Sequence, residues 1–217
     1  MTCHDRRVPD PLTSRWITTW IAMRGLHLTE VDGWPMVHVE SPTRRTELVC
    51  VDPGVEQFKA LVPHIAGDTG AMLTVVGPDL AAYRAMELPG AVRVDRDDET
   101  LMTTHLATTV VPDLPDDLIG SWDVEVQVVH YRVEEGQRVV SEGAMGLHDG
   151  WATFDSVETV PSHQRRGLGR HIMLALSAHA VEQGTKRAVL AASADGRVLY
   201  EALGWNVERE LLSLMGN

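Results

Sequence analysis

The 217-residue sequence predicts an α/β fold, a mixed and mostly antiparallel sheet flanked by helices, carried in two lobes. Three observations lead there. Segments that alternate apolar and polar residues, as strands do, interleave with segments whose apolar residues recur every three or four positions, as helices require. The succession strands, helix, strand, helix, strand occurs twice. Between the two runs lies "VVPDLPDDLIG", rich in proline and aspartate, which places a boundary between a lobe 1–112 and a domain 113–217. The repeated order suggests that the first lobe is a degenerate copy of the second; the commonness of alternating α and β explains it equally well.

The elements follow in order. "SRWITTWIAMRGLHL" places Trp16, Trp20 and Met23 at helical spacing before Gly25 ends the run. Core packing accounts for these tryptophans better than a docking helix does. "WPMVHVE" and "TELVCV" read as strands joined by a turn at "SPTRR". After Asp52-Pro53-Gly54 comes the helix "VEQFKALVPHI", with Val55, Phe58, Leu61 and Val62 on one face. "AMLTVVG" is a buried strand, "PDLAAYRAMEL" a short helix opened by Pro78, and "AVRVD" another strand. From Trp122 to Val160 the alternation, with turns at Glu135-Gly136 and Asp149-Gly150, predicts three antiparallel strands in a meander. A helix with Leu168, Ile172, Leu176 and Ala180 on one stripe follows, closed by Gly184. "RAVLAA" is a strand, "GRVLYEAL" a short helix and "WNVERELLSLM" the last strand.

Composition excludes several functions. Apolar residues make up 44% and charged residues 23%, as in a folded soluble chain rather than a disordered one. No apolar run approaches the ~20 residues that span a bilayer, and "MTCHDRRVPDPLTSRW" lacks a signal-peptide core, so a cytoplasmic protein without membrane partners is expected. Cys3 and Cys50 make no disulfide framework. A net charge of −12 argues against nucleic acid and is compatible with a cationic substrate, though solubility alone explains it better. No metal is expected: His-x-x-x-His and Cys-x-x-Cys are absent, and His163, His171 and His179 recur at eight-residue steps, about 80° apart on a helix.

Against this acidic background, "HQRRGLGRHI" (163–172) gathers three arginines around two glycines. A strand ending at Val160-Pro161 and a helix beginning near Gly167 leave backbone N–H groups unpaired at the helix start, where the dipole adds about half a positive charge. That is an anion site, and glycine at 167 and 169 opens the approach to the amides while Arg165, Arg166 and Arg170 add charge at the rim. A glycine-rich turn with solvated arginines would look the same. The two common phosphate loops do not fit: there is no G-x-x-x-x-G-K-[ST], and the third glycine of G-x-G-x-x-G is Ile172.

"QRRGLG" resembles the Q/R-x-x-G-x-G/A loop of the GNAT acyltransferase superfamily. "WATFDSVETVP" resembles that family's fourth strand, and "VLAASADGRVLYEALGW" its fifth strand and next helix, with Tyr200, Gly204 and Trp205 at the Tyr-x-x-x-Gly-Phe positions. The resemblance covers roughly residues 120–212. It implies a GNAT-like catalytic domain, acetyl-CoA as acyl donor, and an amine acceptor, a small molecule or a peptide; it leaves a homodimer open. It implies that amides around Gln164, Arg165, Arg166, Gly167, Leu168, Gly169 and Arg170 hold the CoA pyrophosphate. The edge of strand 151–160 at Thr159 and Val160 would pair with the pantetheine arm, and an amide there would polarise the thioester carbonyl.

Transfer to an amine needs a proton donor for the thiolate and an acceptor for the amine's proton. Tyr200 holds the family's donor position. For the base, strand alternation sets Trp151, Thr153, Asp155, Val157 and Thr159 on one face and Phe154, Ser156 and Glu158 on the other. The glutamate that some members carry is Thr153 here, so Asp155 is the first candidate, with Glu158, Glu142 and His130 as weaker ones. The family's Asn seven residues before the tyrosine is Ser193, its Ala four before is Gly196, and its two helices ahead of Trp122 have no counterpart. The first lobe is therefore expected to supply that wall. The rival expectation is a CoA-binding module that kept the loop and lost the base.

Overall fold

Asp10 and Pro11 start the first helix. Asp10 Oδ2 accepts from the Thr13 amide at 3.3 Å, and proline suits a first-turn position where an N–H has no helical partner. In the computed structural model, which describes residues 10–217, this helix is α1, Pro11–Arg24, followed by Gly25 at φ +61°. Trp16, Ile17, Trp20 and Met23 are buried and the two indoles stack at 6.0 Å, so the tryptophans are core residues. Cys50 is a free, buried thiol; Cys3 and the leading segment through residue 9 lie outside the described residues.

The chain divides into two compact units. One takes the described residues up to Ser14, Gly25–Leu101 and Val207–Asn217; the other takes Arg15–Arg24 and Met102–Asn206.

In the first unit, β1 (His27–Val31) and β2 (Trp34–His38) form a hairpin around Asp32 and Gly33, both at positive φ. β3 (Thr46–Val51) pairs antiparallel with β2 and parallel with β4 (Ala71–Gly77). The β3–β4 crossover is α2 (Val55–Leu61); the α-helix gives way to a 3-10 turn at Val62–His64 because Pro63 has no N–H to continue it. A single turn, α3 (Ala81–Arg84), leads to β5 (Val92–His105), whose residues through Leu101 belong to this unit. β5 is 14 residues long, far beyond "AVRVD". Its charged stretch stays extended with local ion pairs, Arg93–Asp95 at 2.7 Å and Arg96–Glu99 at 2.9 Å.

The last strand, β11 (Asn206–Gly216), runs antiparallel to β4 from Glu210↔Gly77 to Met215↔Met72, so from Val207 on it completes the first unit. Phe58 and Leu61 of α2 pack on Leu48, Leu73, Val75, Leu212 and Leu214. Buried Glu47 is satisfied by Arg44 at 2.6 Å and by the Thr74 hydroxyl at 2.7 Å.

The second unit holds an antiparallel run, β6 (Ile119–Val124), β7 (Val129–Glu135), β8 (Arg138–His148) and β9 (Trp151–Thr159), then β10 (Arg187–Ala192) parallel to β9. The meander thus has four strands rather than three. A turn closed by Glu125 N–H to Val128 O at 2.9 Å divides "WDVEVQVVHYRV", and Val126 at its tip is fully exposed. α4 (Leu168–Glu182) covers one sheet face: Gly143 looks at Ile172 and Leu176. α5 (Ala194–Glu201) lies on that side too, with Leu199 against Gly169. The α1 residues of this unit cover the opposite face, where Gly146 meets Met23 and Thr19. Among the described residues no helix is long and apolar enough to cross a membrane.

Two stretches of the chain share the succession β-α-β-α-β, β3–α2–β4–α3–β5 and β9–α4–β10–α5–β11, with a parallel first pair in each.

Candidate active site

The arginine-rich loop leaves β9 through a 3-10 turn, Pro161–His163, and enters α4 at Gly167. His163 is buried beneath it, with Nδ1 2.9 Å from Ser162 Oγ. Arg165 and Gly167 both take positive φ, +63° and +82°. Gly167 is the N-cap and no side chain caps the helix. The first helical hydrogen bond runs from His171 N–H to Gly167 O at 3.0 Å, so the amides of Leu168, Gly169 and Arg170 have no helical acceptor. Gln164, Arg165, Arg166 and Arg170 are exposed around them, and Arg166 reaches Asp117 at 3.4 Å. The two glycines differ in purpose. Gly167 supplies the left-handed turn, whereas Gly169 makes room for α5, since a Cβ there would lie 3.2 Å from Leu199 Cδ2.

β9 and β10 pair only at Trp151–Arg187, Ala152–Ala188 and Thr153–Val189. Beyond Thr153 the ladder between them stops, and the β9 edge that faced β10 has no strand partner among the described residues. Thr159 and Val160 close this segment: Thr159 O accepts from Gln164 Nε2 at 3.2 Å, the Thr159 hydroxyl meets Ser141 Oγ at 2.8 Å, and the Val160 amide returns to Val140 O at 2.9 Å.

Tyr200 of α5 is buried with its ring 6.0 Å from that of Trp205, which meets Phe154 edge-on at 5.4 Å. The Ser193 and Gly196 departures find a reason here. Ser193 Oγ caps α5 by accepting from the Gly196 amide at 3.2 Å, and a Cβ on Gly196 would stand 3.0 Å from Tyr200 Cε2. Burial, and then the Asp155 charge, push the Tyr200 hydroxyl up to about 12. The tyrosine and the aspartate are therefore electrostatic neighbours.

The alternation expected along β9 is broken. Glu142 pairs with Glu158 but Ala144 with Asp155, which puts one extra residue on β9; Ser156, at φ +54°, sits in this bulge. Thr153 and Asp155 stay on the α1 face, while Val157 turns to the α4 face and packs with its cluster. Glu158 therefore comes round to the side of Asp155, rather than opposing it. Cross-strand pairing adds His130, which stands opposite Ala144, and Glu142 to the same face.

Asp155 itself is held firmly. Its Oδ2 accepts from Arg24 Nε at 2.7 Å and is ion-paired with Nη2 at 2.6 Å, its Oδ1 accepts from the Ser156 amide at 2.9 Å, and Arg24 Nη2 donates to Ser156 Oγ at 2.9 Å. Nothing in the spacing of α1 marks Arg24 as part of this site. Thr153 Oγ1 is buried without a hydrogen-bond partner among the described residues. No group of metal-ligating side chains is found among them either.

The first unit closes its own version of the loop. Gly54, at φ +75°, precedes α2, but its amide donates to the Tyr83 hydroxyl at 3.0 Å, which donates to Asp52 Oδ1 at 2.8 Å. Tyr83 stands on α3 as Tyr200 stands on α5, and with Asp52 it takes up the Gly54 amide. Burial first, and then Asp52, raise Tyr83 to about 12 as well. Both tyrosines titrate near 10 when unfolded, so the folded state favours their neutral forms. Stability is expected to hold up to about pH 10 and to fall as pH rises through about 12. Thermal melts between pH 8 and 12 test this, and Tyr83→Phe should flatten the decline.

Comparison with known proteins bears on the fold. Residues 143–212, which contain the loop, α4, β10, α5 and most of β11, match the family model described as FR47-like protein. A GCN5-related N-acetyltransferase from Kribbella flavida superposes with a TM-score of 0.60 at 15% identity, covering 92% of this chain and 95% of that one. A structure assigned to the GNAT acetyltransferases from Novosphingobium aromaticivorans gives 0.60 at 16%, covering 96% and 100%. A GCN5-related N-acetyltransferase from Sphaerobacter thermophilus gives 0.55 at 15%, covering 98% and 96%. A search of curated proteins found no match. The resemblance read from "QRRGLG" thus holds for the fold, and the superposed lengths include the first unit.

Proposed function

We propose, for a chain with the fold of the GCN5-related N-acetyltransferases, that it moves an acetyl group from acetyl-CoA to a primary amine by direct attack on the thioester. One observation carries this reading: past Thr153, where its ladder with β10 ends, β9 leads directly into the loop and the uncapped start of α4. The amides of Leu168, Gly169 and Arg170 would hold the pyrophosphate, with Arg165, Arg166 and Arg170 at the rim. The β9 edge beyond Thr153 would pair with the pantetheine arm. Bound there, acetyl-CoA supplies an activated acyl carbon.

The chain's own groups then manage two protons. The amine nitrogen bonds to the acyl carbon as the C–S bond breaks. Tyr200 gives its proton to the departing sulfur, and Asp155 takes the amine's proton through a water; solvent restores both. A hydroxyl pushed to about 12 is protonated throughout the neutral range, which suits a donor. Asp155, Glu158, Glu142 and His130 share the face on which an amine would arrive.

Calorimetry with acetyl-CoA and thiol release with an amine panel test the reading. We expect one carrier bound per chain, since the other loop, "DPGVEQ", has no arginine and gives its Gly54 amide to Tyr83, and release of thiol only with an acceptor present. Arg166→Glu should weaken carrier binding about tenfold, the scale of one charge-assisted contact. The buried, unpartnered Thr153 hydroxyl at the family's glutamate position favours a second reading, a CoA-binding module without turnover. Binding without thiol release on any amine would establish that module instead.

A further inference from the structure

We infer that Arg24, the last residue of α1, is a positioning residue for acyl transfer that clamps Asp155 and the bulged Ser156 just past the end of the β9–β10 ladder; this rests on the acyltransferase reading above. Arg24 is about 130 residues away in sequence, yet one guanidinium reaches both neighbours: Nε and Nη2 meet Asp155 Oδ2, and Nη2 meets Ser156 Oγ. The Ser156 amide donates to Asp155 Oδ1. Both carboxylate oxygens and both polar groups of the bulge residue that could swing are thereby tied to one another.

The bulge needs such a tie. Serine at φ +54° holds a conformation that side chains with a Cβ rarely adopt, and a bulge residue has no ladder partner of its own to hold it there. The clamp adds little to global stability, because both side chains are partly solvated, Arg24 at 40% and Asp155 at 25% exposure, and ion pairs of that kind contribute weakly. Its consequence is geometric. It sets the direction of the Asp155 carboxylate relative to Tyr200 and of the β9 backbone where the ladder with β10 has ended. Lysine cannot reproduce it, since one ammonium lacks the planar fork that spans a carboxylate and a hydroxyl together.

The test compares wild type, Arg24→Ala and Arg24→Lys with acetyl-CoA and an amine that wild type accepts. In Arg24→Ala, kcat should fall about tenfold to a hundredfold, the scale of a small misplacement of a reacting group, with acetyl-CoA affinity and acceptor KM within about twofold. Arg24→Lys should recover only part of the loss. Millimolar methylguanidinium should restore the Ala variant and leave wild type unchanged. Hydrogen exchange gives a readout independent of turnover: amides 155–157 should exchange at least tenfold faster in either variant while 151–153 stay as they were. If the Ala variant does not fold, the Lys variant, which keeps the helix-terminal charge, decides through the same exchange. Unchanged exchange at 155–157, or an unchanged kcat in an active enzyme, overturns the inference. A wild type that binds acetyl-CoA but transfers to no amine overturns the acyltransferase reading, and the exchange comparison still decides whether the clamp exists.

Discussion

Tyr200→Phe is expected to lower turnover about a hundredfold while leaving acetyl-CoA affinity within a factor of two. The substitution removes one oxygen and little else. The ring keeps its contacts with Trp205 and Gly196, so the packing around it survives. What disappears is a hydroxyl that burial and the Asp155 charge keep protonated to about pH 12. A donor of this kind matters only when the sulfur departs, so the loss should appear in kcat and not in binding. Thiol release under saturating acetyl-CoA, set beside calorimetry on the same variant, measures both. An unaltered kcat would remove Tyr200 from the mechanism.

Deleting residues 207–217 should abolish cooperative folding of the first unit. Leu211, Leu212, Leu214 and Met215 are all buried, at about 1.5–3 kcal/mol for each such side chain. Together they rival the roughly 5–15 kcal/mol by which a whole domain is stable. The deletion also strips the partner from β4, "AMLTVVG", which is buried along its entire length, and exposes an apolar strand edge of the kind that aggregates. The expected result is loss of soluble yield, or a soluble product without a thermal transition by near-ultraviolet circular dichroism. A sharp melt near that of the full chain would show that β11 is dispensable.

The parts of this architecture that the sequence revealed are those with local signals. α4 was readable because its apolar stripe begins after glycine and arginine residues, and α5 because Gly204 and Trp205 close it. The parts that stayed hidden lack such signals or contradict them. Ser156 adopts positive φ without being Gly or Asn, so alternation along β9 misassigned Val157, Thr159 and Glu158 relative to Asp155. The turn at 125–128 contains no Gly or Pro, and its valines continue the strand pattern through it. β1 was missed although Asp32-Gly33 is the same two-residue signal as Asp149-Gly150. The strand read at "AVRVD" runs on through "RDDET" as β5, because ion pairs let that charged stretch stay extended. Arg24 and Asp155 meet only through the fold, and no spacing rule reaches across such a distance.

The placement of β11 also bears on how the chain is made. The first unit's remaining strands emerge from the ribosome early, but the strand that covers the β4 edge is made only after residue 206. Throughout synthesis of 102–206 the nascent protein therefore carries an unsealed sheet. A chaperone that shields extended apolar segments, or slow decoding after residue 101, should change the yield of this protein more than that of one whose halves mature in order.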